Sequence, residues 1–384
     1  MKIVYYTRHI RDYSWVESIW KESGGVFCSD LPETETLFKQ DLPEVPFRLL
    51  PSSTKLTIGR KVGSRALEIK RKARRFRLSY VARLMQPDVI ITTSNFRHAI
   101  GRDWKSWLRQ RGRTFPSVKQ VQAFHGISSK NVKFNPWMAE FDLLLLPGKR
   151  ERDKFAELGI LDKTDYALIG HPKSDAFVRG EISREMMLEK YQLPNRPTVL
   201  YAPTTGALSS FYSWGMEICE AVPADCNLIV KPHPALITTS KKEGVGWAEI
   251  EEIKNYLQHR GALWLPLEPD VTPLMAASDV LVTDYSSVAE EFLVFNKPII
   301  FADHLANATG RDRAHRDNGD WEALFNAGEQ VTDKSTFKRV LGKVLFSQDD
   351  RNEQRQQLRD YVFENLDGHC AARAAKAITF LVSR

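Results

Sequence analysis

Ser278-Asp279-Val280-Leu281-Val282-Thr283-Asp284-Tyr285-Ser286-Ser287, continued by Val288-Ala289-Glu290-Glu291-Phe292-Leu293-Val294-Phe295-Asn296-Lys297-Pro298-Ile299-Ile300-Phe301, is the stretch that decides the fold. A short apolar run ends in an acid and two serines and passes without a spacer into an amphipathic segment, and a second apolar run follows. This is strand, tight turn, helix, strand, the repeating unit of a parallel sheet flanked by helices.

Outward from it the same alternation recurs. Strands are expected at Thr198 to Ala202, Asn227 to Lys231, Ala262 to Pro266, Asp279 to Thr283 and Pro298 to Phe301, with helices at Ser209 to Ala221, Trp247 to His259, Val271 to Ala277 and Ser287 to Phe295. An earlier set of strands reads at Lys2 to Thr7, Asp88 to Ser94, Val118 to Phe124, Asp142 to Pro147 and Tyr166 to Gly170. The two sets predict two similar open sheets. Their border is expected near residues 173 to 197, where the prolines of Pro194-Asn195-Arg196-Pro197 break regular structure. After Phe301 the pattern reads as irregular and charged through Gly310 to Asp317, then as helical from about Lys334 onward.

At 384 residues, two domains of ordinary size are expected, and 42% hydrophobic with 27% charged residues excludes a largely disordered or membrane-embedded chain. The opening MKIVYYTRHIRDYSW is too weakly apolar for a signal peptide, and no run of about 18 apolar residues offers a span, which points to the cytoplasm. Four cysteines show no CxxC spacing, so reduced thiols and no zinc site are expected.

The net charge of +7 comes largely from one stretch, since Lys55 to Arg83 holds eleven basic residues against Glu68. Val62, Ala66, Ile69, Ala73, Phe76, Tyr80 and Leu84 recur there at helical spacing. Such a helix fits an anionic membrane surface, or equally a packed helix with a solvated basic face. Nucleic acid is disfavoured because interleaved aromatics are lacking.

Candidate chemistry gathers at strand ends, where open α/β sheets bind ligands. The turn holding Asp284, Ser286 and Ser287 offers hydroxyls and helix amides to a phosphate, with plain helix capping as the alternative. In Val230-Lys231-Pro232-His233-Pro234 two prolines fix a histidine beside a cation, suited to a phosphoryl oxygen or a leaving group. The alternative is a histidine bonded to a loop carbonyl. Val121-Gln122-Ala123-Phe124-His125-Gly126 repeats the design and is followed by Lys130, so that His125 could act as a general base. Gly170-His171-Pro172-Lys173-Ser174-Asp175 and Tyr201-Ala202-Pro203-Thr204-Thr205-Gly206 are further polar strand-end loops. Absence of a GxxxxGK[ST] loop, a complete GxGxxG, GxSxG, HExxH and Asp-x-Asp speaks against P-loop hydrolysis, hydride transfer, serine hydrolysis and obligatory metal catalysis. No cofactor is expected.

Taken together, QAFHG, GHPKSD, LYAPTT, VKPHP and TDYSSVAEEFLVFNKPIIF resemble the CDP-glycerol glycerophosphotransferase family of teichoic acid and capsular polymer primases and polymerases, over roughly Gln122 to Phe301 with an echo at Asn365-Leu366-Asp367-Gly368 and Arg373. The resemblance implies an α/β fold of GT-B type, two Rossmann-like domains facing across a cleft. It assigns residues 1–178 to the acceptor, residues 179–365 to the nucleotide donor and residues 366–384 to a terminal helix returning to the first domain. It also implies transfer of an alditol phosphate from a CDP-activated donor to a glycan or lipid-linked acceptor hydroxyl, releasing CMP, at the inner face of the cell membrane. By the same resemblance His125 matches the base, His233 the histidine near the donor phosphates, Ser286 and Ser287 the phosphate turn, and Glu291 the acid near the ribose. Lys231, Thr204, Thr205 and Asp284 are expected on the donor side, and Gly126, Lys130, Arg311 and Arg313 are candidate acceptor or phosphate contacts. The chain departs from the family at Ile127-Ser128-Ser129-Lys130 and around Arg311, Arg313, His315 and Arg316, where the transferred group would be contacted. The same turn is also similar to that of UDP-N-acetylglucosamine 2-epimerases and nucleotide-sugar glycosyltransferases, which makes an isomerase or hexosyl transferase the second reading and an idle nucleotide-binding scaffold the third.

Overall fold

The computed structural model describes residues 1–7, 10–29, 31–50, 85–93, 118–124, 134–243, 246–268, 270–317, 321–346 and 349–384, without the side chains of 10–12, 239–243, 311–313 and 315. The expected helix within 55–84 and the loop of His125, Gly126 and Lys130 lie outside them.

The chain divides into two compact units, one made of the residues up to 124 with Phe134–Asp175 and Phe363–Arg384, the other spanning Ala176–Val362. In the first, β1 (Ile3–Tyr6), β2 (Val26–Ser29), β3 (Phe47–Leu49), β4 (Val89–Thr92), β5 (Lys119–Ala123), β6 (Leu143–Leu146) and β7 (Asp165–Leu168) form one parallel sheet in the order β3-β2-β1-β4-β5-β6-β7. The five strands expected there are present. Sequence reading missed β2, which is as long as β1, and β3, whose three residues include the exposed Arg48.

In the second unit, β8 (Thr198–Tyr201), β9 (Asn227–Val230), β10 (Leu263–Trp264), β11 (Val280–Thr283), β12 (Ile299–Ala302) and β13 (Glu329–Val331) form a second parallel sheet in the order β10-β9-β8-β11-β12-β13. Every residue of β8, β9, β11 and β12 is buried, as both faces of a parallel sheet require. Helices Phe211–Ala221 and Trp247–Arg260 cover one face, and Phe211, Ile218, Ile250, Ile253 and Leu257 share a core with Val199, Leu228, Val280 and Ile300. Two details correct the sequence reading. Gly310–Asp317 is a helix rather than irregular chain, its charged sequence having concealed it. The expected Ser287 to Phe295 helix is one α-turn, Val288–Phe292, followed by a 3-10 turn, Leu293–Phe295, which ends at Asn296 with φ +49°.

The block Gly170 to Asp175 proves to be a fastening. Gly170 has φ +82°, and a Cβ there would lie 2.5 Å from the Glu364 carbonyl oxygen and 2.6 Å from Cys370 Sγ, so only glycine lets these segments meet. The His171 ring, 1% exposed with its residue, packs edge-on between Trp15 at 5.3 Å and Phe363 at 5.2 Å. Asp175 accepts the backbone N–H groups of Cys370 at 3.1 Å and Ala371 at 2.8 Å, capping the helix Cys370–Ser383. Ala371, Ala374, Ile378 and Leu381 of that helix complete the first unit's core against Ile3, Val16 and Leu143.

Candidate functional site

In the second sheet the strand order reverses between β8 and β11, and ligands of such sheets bind outside the carboxyl ends of the strands at that switch point. The segments leaving β8, β9 and β11 there are the ones singled out in the sequence, and all belong to one unit.

Hydrogen bonds continue past the strands and hold these segments together. Lys231 N–H donates to the Tyr201 carbonyl at 2.9 Å and His233 N–H to the Pro203 carbonyl at 3.1 Å, so the segment after β9 follows the one after β8. Thr283 Oγ1 donates to the Ala202 carbonyl at 2.8 Å. Asp284 completes the set: Oδ1 accepts from Thr204 N–H at 2.8 Å, while Oδ2 accepts from Ser210 N–H at 2.8 Å and Ser210 Oγ at 3.0 Å. Both oxygens of this expected donor-side residue are therefore engaged by the protein's own loop, and Asp284 is 1% exposed. Burial pushes its carboxyl above the ordinary range, against the pull of those backbone donors.

His233 stands at the start of helix Pro234–Glu243, where proline suits the first helical position. Its Nδ1 accepts from Ala235 N–H at 3.1 Å, and that bond places the proton of the neutral ring on Nε2. The ring is half-buried, and Lys231 beside it is 8% exposed. Thr204 is buried and Thr205 half-buried at the start of the turn Gly206–Leu208.

The two serines differ. Ser286 Oγ accepts from Val288 N–H at 3.4 Å and is buried. Ser287, the cap residue itself, makes no side-chain cap bond and is half-buried. Ser286 thus makes a helix-start bond as acceptor, which leaves its O–H proton to donate elsewhere, while the Ser287 hydroxyl is not used by the helix. Glu290 is fully buried and Glu291 is 6% exposed. Arg311 and Arg313 lie on helix Gly310–Asp317, which packs beside the Gly206–Leu208 turn.

Sequence reasoning missed Asp303, buried at the end of β12. It accepts from the Tyr285 hydroxyl, from Arg316 Nη2 at 3.0 Å and from Gln330 Nε2 at 2.5 Å. A signal was available, because Asp303 closes a buried strand as Asp284 does. His304 follows, with its ring edge-on to Trp214 and Tyr285. Among the described residues no cluster of three or more His, Cys, Asp or Glu could hold a metal ion, and no helix is long and apolar enough to cross a membrane.

Comparison with known proteins places this arrangement. The sequence profile of the CDP-glycerol:poly(glycerophosphate) glycerophosphotransferase family matches residues 59–380. The teichoic acid glycerol-phosphate primase of Bacillus spizizenii strain W23 is 28% identical over 188 residues, covering 47% of this chain and 45% of that protein. The chain spans about half the length of the curated relatives it matches. Among solved structures, the wall teichoic acid polymerase TagF, in a variant soaked with CDPG, superposes with a TM-score of 0.62 at 15% identity, covering 100% of this chain and 88% of that one. The UDP complex of Staphylococcus aureus MnaA superposes with a TM-score of 0.60 at 15% identity, covering 100% and 97%. These likenesses carry the fold, which is α/β of the GT-B class.

Proposed function

The chain belongs to the CDP-glycerol:poly(glycerophosphate) glycerophosphotransferase family, and from that premise we propose that it transfers glycerol phosphate, or a closely related alditol phosphate, from a CDP-activated donor to an acceptor hydroxyl during cell-envelope polymer synthesis. The observation that carries the proposal is the family match over residues 59–380, seated on a fold whose second unit presents a braced cradle at its switch point.

In the reaction the acceptor oxygen attacks the phosphorus that bears the alditol, and the bond from that phosphorus to the bridging oxygen breaks. The acceptor proton passes to His125, and CMP leaves with the electron pair of the broken bond. Such a transfer depends mainly on positioning and on neutralising charge. Lys231 supplies a cation at the end of β9, and the Nε2–H of His233 donates to the phosphate as charge builds on the departing oxygen. Thr204, Thr205 and Ser287 contribute hydroxyls, and Glu291 is assigned to the ribose. Asp284 acts from beneath by holding the loop after β8 in shape. Gly126, Lys130, Arg311 and Arg313 are assigned to the acceptor or the donor phosphates. Residues 1–178 would then serve the acceptor and 179–365 the donor, with residues 55–84 lying on an anionic membrane surface at the cytoplasmic face. Salt-sensitive co-sedimentation with anionic vesicles tests that last assignment.

The decisive experiment incubates the purified chain with a panel of CDP-alditols and UDP-sugars plus a glycerol-phosphate-primed acceptor, and reads nucleotide products by chromatography. CMP released only from CDP-alditols in step with acceptor growth is expected. Formation of UDP or of an epimerised UDP-sugar would overturn the assignment and favour the nucleotide-sugar reading.

A further inference from the structure

Asp303 has no place in the chemistry above, yet it is 1% exposed and is approached by three side chains from three separate segments. The Tyr285 hydroxyl comes from the Asp284–Ser287 turn, Arg316 from helix Gly310–Asp317, and Gln330 from β13. Arg316 Nε also reaches the Tyr285 hydroxyl at 3.2 Å, which closes a triangle of Tyr285, Asp303 and Arg316. The Arg316 carbonyl accepts from Trp321 Nε1 at 2.9 Å, and the Trp321 ring stands edge-on to Tyr285 at 5.3 Å. A buried carboxylate is costly unless its charge is matched, and a guanidinium fork with a phenol and an amide does so with directional bonds.

What this network joins gives it meaning. On one side is the turn that carries Ser286 and Ser287. On the other is the helix that carries Arg311 and Arg313 and packs beside the Gly206–Leu208 turn after β8. A helix of this composition, Gly-Arg-Asp-Arg-Ala-His-Arg-Asp, has no apolar stripe with which to dock. Its described attachment to the sheet edge is ionic, through Arg316.

We propose that Asp303 is a positioning residue for donor binding, latching the basic helix Gly310–Asp317 through Arg316 and the serine turn through Tyr285, so that both face the same nucleotide diphosphate in fixed register. This rests on the donor reading given above. It adds that diphosphate affinity depends on a residue that touches no substrate.

The test combines donor KM and kcat from CMP release with calorimetric titration of CDP, which needs no turnover. Asp303→Asn keeps the shape and loses the charge, and Arg316→Gln breaks the latch from the helix side. Each is expected to raise donor KM and the CDP dissociation constant about tenfold, the scale of one lost charge-assisted bond, with kcat within about threefold. Arg316→Lys should recover part of the loss because it restores the cation without the fork. The double variant Asp303→Asn/Arg316→Gln should be no worse than the weaker single variant, because both break the same link. A merely structural role would lower kcat through loss of active protein at unchanged KM, and that result overturns the proposal. So does wild-type CDP affinity in both single variants. If Asp303→Asn does not fold, Arg316→Gln decides, since Arg316 is partly exposed. A wild-type protein that binds CDP but releases no CMP from CDP-glycerol would sink the transferase reading and leave the latch to the CDP titration. One that binds neither overturns both.

Discussion

Asp284→Ala isolates the brace beneath the cradle. In the native loop the carboxylate is the acceptor for Thr204 N–H and Ser210 N–H, both at 2.8 Å, and for Ser210 Oγ at 3.0 Å. Alanine strands two buried backbone donors, each worth about 1–3 kcal/mol when left unmade. The serine hydroxyl keeps its partner, the Tyr201 hydroxyl at 2.9 Å, and so adds little. Against this stands the relief of a buried charge, whose cost is visible in the raised pKa of Asp284. The net expectation is a loss of about 2–4 kcal/mol for alanine and about 1–2 kcal/mol for Asp284→Asn, whose amide oxygen still serves one of the two donors. The sign of the pH dependence follows from the same shift. A carboxyl raised in the folded state contributes stability that is fully present below its unfolded pKa and is lost as pH rises through the folded one. The deficit of either variant should therefore be largest near pH 4 and shrink toward pH 7. Urea unfolding at both pH values, followed by far-ultraviolet circular dichroism and tryptophan fluorescence, measures it. An alanine variant within about 0.5 kcal/mol of wild type, the range of an ordinary surface change, or a deficit that grows with pH, would refute the reasoning.

The two histidines should divide their work: His125→Ala is expected to cut turnover about 10²–10⁴-fold while CDP-glycerol binding holds, and His233→Ala to weaken both. His233→Asn should restore the cap on Ala235 N–H without restoring turnover, and calorimetry beside initial rates would contradict the scheme if both alanine variants lost equal affinity. Asp175→Ala removes the cap of helix Cys370–Ser383 and should cost about 1–2 kcal/mol with faster hydrogen exchange at its first turn; unchanged exchange would refute that role. All four cysteines are buried, and burial pushes the Cys219 and Cys370 thiols up to about 12, so an aromatic disulfide reagent at pH 8 should label the native protein slowly and the urea-unfolded protein at all four positions. Rapid labelling of the native protein would count against the packing described.

Legibility in the sequence followed the physics of each element. Buried parallel strands are continuous apolar runs, so β8, β9, β11 and β12 could be read directly. β13, with Glu329 and Gln330 in three residues, could not. Helix Gly310–Asp317 was illegible because it has no apolar period; among the described residues Arg316 fastens it, through Asp303, Tyr285 and Trp321. At the site, strand-end position identified His233, Lys231 and Asp284, since topology alone delivers them to the carboxyl edge. Their roles were less readable. Nothing in the spacing says that Asp284 is taken up by the loop after β8, because its partners Thr204 and Ser210 lie 80 and 74 positions away, or that Ser286 rather than Ser287 bonds the Val288 N–H, because that choice depends on how the turn closes.

The same distinction explains what the long motif can and cannot specify. In Asp284 to Phe301, Asp284 braces the β8 loop, Tyr285 joins Asp303, and Ser286 caps a helix. Asn296 turns the chain in a left-handed conformation, while Lys297 Nζ donates to the Ala276 and Ser278 carbonyls at 3.2 and 2.6 Å. Most of the block thus builds a strand, a turn and the attachment of the next strand, work that any GT-B donor unit must do whatever group it transfers. The fold itself is shared with TagF and MnaA at similar TM-scores. Choice of the transferred group must then come from residues added to this frame. On the reading proposed above, the candidate in this unit is the basic helix after β12, which is held by a carboxylate of its own.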